Sequence, residues 1–228
     1  MSDHRFVTDV PDLDQPVLIV MLSGWIDASG AAAAAMASLV QATDARSLVS
    51  FDDDLYIDYR ARRPTLELRD GVNHRMVWSS PEMLVGRDAN GRDVVLLQGP
   101  EPDMAWHRFS RTIGDLATQF GITRMAAIGA YPFATPHSRP VQLSATSPSR
   151  DVLDGLPFRT SSVDVPAGVA AALEVALHDR GIPSVSVWAQ VPHYVATMSY
   201  PAASVALLEG LSTVVGIHVD TAELRREA

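Results

Sequence analysis

The stretch VLIVMLSG, from Val17 to Gly24, decides the fold of this chain of 228 residues. Its first six residues are a continuous apolar run, which is typical of a strand buried on both faces of a parallel sheet. Ala28–Gln41 then has the composition and spacing of a helix, and Ser47–Phe51 is a second short strand-like run. A strand, a helix and a strand in this order predict an α/β domain.

The rest of the chain repeats this alternation of strands and helices. Three further apolar runs predict buried strands at Val94–Leu97, Met125–Ile128 and Val185–Val191. Three segments with helical periodicity lie at Pro102–Phe120, Ala167–Asp179 and Pro201–Val215. We therefore predict an α/β fold with three layers (α/β/α), in which a mostly parallel central sheet contains all of these strands. No change in composition marks a linker, so residues 1–228 are predicted to form a single domain.

The middle of the chain has a different sequence pattern. The dipeptides Asp70-Gly71 and Asn90-Gly91 each lie between two short runs with strand-like composition. Such dipeptides are strong signals for the turn of a β-hairpin. We predict a β-rich excursion of two hairpins over about residues 60–93.

The composition excludes several classes of function. The chain has no cysteine, hence no disulfide, thiol nucleophile or cysteine-ligated metal. All 18 basic residues are arginine, so a Walker lysine and a Schiff-base lysine are both absent. The net charge of −9 argues against binding to nucleic acid. We predict that the protein binds no cofactor.

The first residues and the lengths of the apolar runs indicate the location of the protein and whether it enters a membrane. Residues 1–15 are acidic and polar and lack the basic start and apolar core of a secretory signal. The strongly apolar runs are as long as a strand and far shorter than a membrane span. We expect a cytoplasmic protein that does not enter a membrane.

The motifs of familiar enzymes are missing. The sequence has no G-x-S-x-G, no H-E-x-x-H and no G-x-G-x-x-G, and its seven histidines are widely spaced. No metal site is predicted, no catalytic residue can be assigned, and the sequence leaves open whether the protein is an enzyme. The candidates are polar clusters that directly follow predicted strands, where open α/β sheets bind their ligands.

Two of these clusters lie before predicted helices. In SGWIDASG (23–30), Gly24 and the following backbone N–H groups would suit an anion, or Asp27 would simply cap the helix. In GPEPDMAWH (99–107), Glu101 and Asp103 would complement the helix dipole. Alternatively, Asp103 would orient His107, four residues later, as a general base.

Two other clusters follow later strands. The proline-rich loop 131–147 carries His137 and Arg139, which would bind a carboxylate or phosphate or would form an ordinary surface turn. Tyr194 follows the last predicted strand. If the loops meet at one end of the sheet, the turn at Gly24 and the guanidinium of Arg139 would form a cradle for a small anion.

The segment FDDDLYIDYRARRP, residues 51–64, is dense in charge of both signs. Asp52 begins a run of three aspartates that would hold a metal only with further acids, which the sequence does not supply at helical spacing. Arginine pairs well with carboxylates at interfaces. We therefore predict a subunit contact through four charged residues: Asp58, Arg60, Arg62 and Arg63.

Five stretches in this order resemble the proteasome assembly chaperone two family, and in particular its actinobacterial branch. They are GWIDAS, SFDDDLYIDYRARRP, GPEPDMAWHRF, PHSRP and VPHYVATMSYPAA, and the resemblance spans roughly residues 15–219. The resemblance implies a phosphorylase/hydrolase-like α/β/α fold, a homo-oligomer such as a trimer, and a proteasome-related protein partner.

The end of the sequence departs from this family. Some archaeal relatives dock on proteasomes through a C-terminal hydrophobic–tyrosine–any tail, whereas this sequence ends in ELRREA. Members of the actinobacterial branch run longer, so we expect a charged helical C-terminal extension to be missing here. The predicted function is an oligomeric, cytoplasmic, chaperone-like or scaffold protein. The alternative is a small-molecule enzyme of the hydrolase or phosphorylase type, or a binding protein, with an anion pocket at the strand ends.

Overall fold

A computed structural model describes residues 3–228 of the chain, and its elements are numbered here in chain order. The strands are β1 (His4–Phe6), β2 (Val17–Ser23), β3 (Arg46–Phe51), β4 (Thr65–Arg69), β5 (Val72–Val77), β6 (Glu82–Arg87), β7 (Asp93–Pro100), β8 (Arg124–Phe133), β9 (Leu143–Thr146) and β10 (Ser184–Pro192). The α-helices are α1 (Ala31–Ala42), α2 (Asp53–Tyr56), α3 (Trp106–Gln119), α4 (Arg150–Asp154), α5 (Val169–His178), α6 (Pro201–Val215) and α7 (Ala222–Glu227).

Eight strands form one sheet in the order β1-β3-β6-β7-β2-β8-β10-β9. The four strands β7, β2, β8 and β10 are mutually parallel and occupy its centre. The outer strands pair antiparallel with their neighbours. The predicted strands 17–22, 94–97, 125–128 and 185–191 all lie in this central group, which confirms that they share one sheet.

The strand β2 shows why three layers form. Its side chains alternate between the two faces of the sheet, and both faces are buried. Ile19 and Met21 pack in a core with α1 and α6, whereas Leu18 and Val20 pack in a second core with α3 and α5. A strand that is apolar from Val17 to Leu22 therefore requires helices on both sides, as the sequence predicted.

The two predicted hairpins have different positions. The strands β4 and β5 pair with each other in a separate sheet of two strands. The strands β6 and β7 also form a hairpin, but both belong to the main sheet. The predicted excursion over about residues 60–93 is therefore too long, because β6 pairs with β3 and leaves only β4–β5 outside the main sheet.

The start of α3 differs from the prediction. The periodic segment begins at Pro102, but the helix begins at Trp106, because Ala105 has a left-handed backbone with φ of 59°. Glu101 and Asp103 consequently lie in the loop before the helix rather than in its first turn. Across positions 3–228, no helix is long and apolar enough to cross a membrane.

Candidate functional site

A cleft lies where the parallel strands β2 and β7 end side by side. Ser23 and Pro100 are in register at this point. The cleft has a volume of about 400 Å³, and we call it the strand-end cleft. Its lining residues are Ser23, Arg62, Arg63, Ser79, Gly99 and Pro100.

Asp103 holds one wall of the strand-end cleft in place. Its Oδ1 accepts a hydrogen bond from Nε of Arg62 at 2.9 Å, and its Oδ2 accepts one from the backbone N–H of Asp58 at 3.0 Å. Both carboxylate oxygens are thus engaged by the loop that follows α2. Asp103 therefore does not orient His107, which was one of the two predicted alternatives. Asp103 precedes the helix and binds Arg62, and His107 is exposed on α3.

The guanidinium of Arg62 lies against the glycine turn. Gly24 has a φ of 133°, and a Cβ placed there would meet Nη2 of Arg62 at 2.5 Å and Cγ of Glu101 at 3.1 Å. A side chain at position 24 would therefore strain the backbone and would displace the guanidinium of Arg62. The turn faces Arg62 rather than Arg139, the predicted partner, whose exposed side chain makes no hydrogen bond or ion pair with any residue from 3 to 228.

Glu101 joins three elements beside the strand-end cleft. Its backbone N–H donates to the carbonyl of Ser23 at 2.7 Å. Its Oε2 accepts a hydrogen bond from the N–H of Val169 at 3.1 Å, which caps the first turn of α5. Of the predicted binding candidates, Gly24, Glu101 and Asp103 are thus brought together here.

Asp27 has a structural role. Its two carboxylate oxygens accept hydrogen bonds from the N–H groups of Ala32 and Ala33, at 2.8 and 3.0 Å. The carboxylate thereby satisfies backbone donors in the first turn of α1. Of the two alternatives for this residue, the structure shows the helix cap.

A second cluster joins the loops after β8 and β10. The backbone N–H of His137 donates to Oη of Tyr194 at 2.8 Å, and Nδ1 of His137 lies 2.9 Å from the same oxygen. Both residues are exposed. Within the described chain, no hydrogen bond or ion pair connects them to the strand-end cleft, and Asp52 lies elsewhere, at the start of α2. The predicted binding residues therefore lie in separate parts of the structure.

The predicted interface arginines divide into two kinds. Arg62 is committed to Asp103 within the chain. Arg60 and Arg63 are exposed, and their guanidinium groups have no partner among residues 3–228. Asp58 accepts the backbone N–H of Arg60 at 2.8 Å, which tightens the turn that presents them. Arg63 thus contributes an unpaired positive charge to the lining of the strand-end cleft, whereas Arg60 is exposed and does not line it.

A cavity of about 490 Å³ lies at the opposite end of β2, near Val17. Both of its arginines and the carboxylate of Asp93 are already engaged within the chain. Arg92 and Arg124 donate to backbone carbonyls at the end of α6, and Asp93 accepts from Arg87 at 2.6 Å. These charges stabilise the fold, whereas the strand-end cleft retains an unpaired arginine.

Glu174 is a buried acid that the sequence reasoning did not single out. It is only 5% exposed, on the face of α5 that packs against the sheet. Its carboxyl group accepts a hydrogen bond from the hydroxyl of Ser186 on β10. Burial raises its pKa to about 7, although hydrogen bonds from Ser186 and Thr146 act in the opposite direction. The feature of the sequence that could have identified Glu174 as a buried acid is its position as the lone acid within the apolar segment VAAALEVALH (169–178).

Solved structures of actinobacterial proteins are similar over almost the whole chain. A Corynebacterium glutamicum protein of unknown function is 30% identical with a TM-score of 0.91, covering 100% of this chain and 86% of that one. A Mycobacterium tuberculosis proteasome-assembly chaperone homologue is 32% identical with a TM-score of 0.86, covering 92% of this chain and 90% of that one. Among curated proteins, none matches this sequence.

The family assignment follows from two agreeing comparisons. A Streptomyces avermitilis protein of the PAC2 family is 32% identical with a TM-score of 0.85, and the match covers 93% of this chain and 91% of that one. The sequence model of the PAC2 family matches residues 21–228. This confirms the resemblance of the five motifs to the proteasome assembly chaperone two family. The chain belongs to the PAC2 family.

Proposed function

We propose that the protein is an oligomeric, chaperone-like or scaffold protein of the cytoplasm that binds a proteasome-related protein partner. The observation that carries the proposal is membership of the PAC2 family, together with 32% identity to a proteasome-assembly chaperone homologue over 92% of the chain. The exposed apolar side chains of β4 and β5 support it, because concentrated apolar surface commonly marks sites of protein association.

Binding to proteasome subunits tests this function directly. We expect a complex of defined stoichiometry in native mass spectrometry when the protein is mixed with purified, unassembled actinobacterial proteasome subunits. An assembly factor should bind the free subunits more tightly than the finished particle. A control with an unrelated protein of similar size and net charge measures non-specific attraction. If the subunits bind this protein no better than the control, the proposed partner is wrong.

A second candidate function is the binding of a small anion in the strand-end cleft. Its volume of about 400 Å³ lies within the range of small-molecule sites. Arg63 has no partner within the part of the chain that the structure describes, and the hydroxyls of Ser23 and Ser79 line the same cleft. Nearby Glu101 disfavours a bare anion and favours a ligand that also carries hydroxyl groups, such as a sugar phosphate.

Replacing Arg63 should weaken this binding. In isothermal titration calorimetry with ribose 5-phosphate, Arg63→Gln should bind about tenfold more weakly or worse, because a charge-assisted hydrogen bond contributes about 1.5–3 kcal/mol. The matched control is Arg60→Gln, which removes an exposed arginine that does not line the cleft. Equal affinity in the two variants would exclude the strand-end cleft as the binding site.

A further inference from the structure

Two aromatic side chains, Tyr59 and Trp78, pack against each other beside the strand-end cleft, and we call them the aromatic pair. The centres of their rings are 4.7 Å apart, and the ring planes meet at 67°, an edge-to-face arrangement. The side chain of Trp78 is nevertheless 48% exposed. About half of a large, flat apolar surface therefore remains open to solvent.

The aromatic pair joins two segments that line the strand-end cleft. Tyr59 belongs to the loop after α2, which contributes Arg62 and Arg63 to the lining. Trp78 directly precedes Ser79, which lines the same cleft. Because each ring belongs to a segment that lines the cleft and the two rings are in contact, the aromatic pair lies next to the cleft.

The segment that carries Trp78 is held tightly against the end of β7. A Cβ placed on Gly99, whose φ is 113°, would meet the carbonyl oxygen of Ser80 at 2.6 Å and Cα of Pro81 at 2.9 Å. This close approach of two backbones requires a glycine. Trp78 thus starts from an anchored backbone, and a ring that is already in position loses little conformational freedom when a ligand binds.

Tyr59 is held as well. Burial raises the pKa of its hydroxyl, and the carboxylates of Asp53 and Asp54, which accept hydrogen bonds from it, raise the pKa further. The phenol therefore stays protonated and remains bound to these carboxylates. Tyr59 supports the indole of Trp78 from one side, and the exposed part of the indole is available to a ligand.

The polar groups of the strand-end cleft match a sugar that carries one phosphate. Arg62 is committed to Asp103, so Arg63 supplies the one unpaired guanidinium of the lining within residues 3–228. The hydroxyl of Ser79 lines the cleft, and Glu101 lies beside it. One free guanidinium fits a single phosphate group. The net charge of −9 disfavours a polynucleotide, which leaves a free mononucleotide.

We propose that the strand-end cleft binds a nucleoside 5′-monophosphate, with the phosphate on Arg63 and the base stacked on Trp78. The proposal rests on the second candidate function, the binding of a small anion in this cleft, and it adds the base as the part of the ligand that Trp78 contacts. Nucleobases stack readily on aromatic side chains, and every base has a flat face for this contact.

A comparison of two ligands by isothermal titration calorimetry tests the contribution of the base. Ribose 5-phosphate has the sugar and phosphate of adenosine 5′-monophosphate but lacks the base. We expect the wild type to bind adenosine 5′-monophosphate about tenfold more tightly, because stacking adds to the binding free energy. If ribose 5-phosphate binds equally well, the stacking proposal is wrong and the anion site remains. If neither ligand binds, the anion site is wrong too.

Two variants separate the base from the phosphate. Trp78→Leu should bind adenosine 5′-monophosphate about as weakly as ribose 5-phosphate, with the affinity for ribose 5-phosphate unchanged. Arg63→Gln should weaken the binding of both ligands by the same factor. The matched control is Trp25→Leu, because Trp25 is 49% exposed but packs against Gly168 instead of Tyr59. A tenfold preference that survives in Trp78→Leu, or one that is lost in Trp25→Leu alone, would overturn the proposal.

Discussion

At pH 8, Glu174→Gln should be more stable than the wild type by about 3 kcal/mol, whereas near pH 4.5 the two should differ little. The pKa of Glu174 is raised from 4.5 to about 7 in the folded protein, chiefly by burial. Between these values the folded state keeps a proton that the unfolded state releases, so stability falls as the pH rises from about 4.5 to about 7. A shift of this size corresponds to about 3 kcal/mol.

Glutamine keeps a polar side chain beside Ser186 but does not ionise. The variant should therefore lose the decline between pH 4.5 and 7, which urea denaturation at a series of pH values would measure. Asp3 does not interfere, because its hydrogen bonds to Arg108 lower its pKa to about 2, below this window. The control Glu223→Gln changes an exposed glutamate of α7 and should follow the wild type. A decline of the same size in Glu174→Gln would show that another group causes it.

The central strands could be predicted because each is a run of consecutive apolar residues. The run from Val17 to Leu22 has no polar position, and only a strand covered on both faces satisfies such a run. Helix α6 was equally clear, with Pro201 at its first position and Gly216, in a left-handed conformation, at its end. In contrast, β9 has only four residues, LSAT, and its pairing with β10 depends on a distant neighbour.

The strand-end cleft was only partly predictable. The sequence placed Gly24 and Glu101 after neighbouring strands, and the structure brings them together. It did not identify Arg62 as the guanidinium beside them, because this depends on the loop after α2 folding back onto Asp103, 41 residues later. Glu174 was missed for a different reason: residues 169–178 are apolar almost all round, so the sequence does not show which side of the helix packs against the sheet.

Phe109→Ala should lower the free energy of unfolding by about 3–5 kcal/mol, the usual loss for a fully buried phenylalanine. Phe109 is 0% exposed and lies on α3. The centre of its ring is 5.1 Å from the rings of both Phe51 and Tyr56. Removing the ring leaves a cavity between α3 and the edge of the sheet, and the rigid surroundings can fill it only in part.

The loss of stability in Phe109→Ala should also loosen the loop that lines the strand-end cleft. The carbonyl of Tyr56 accepts the backbone N–H of Asp103 at 2.9 Å, and Asp103 in turn holds Arg62. Amides of residues 56–63 should therefore exchange faster in Phe109→Ala, and denaturant titration should give the lost stability. The matched control is Phe133→Ala, because Phe133 is 41% exposed and the same change should cost less than about 1 kcal/mol there. Equal losses in the two variants would mean that the cluster of Phe51, Tyr56 and Phe109 does not anchor the loop that carries the arginines.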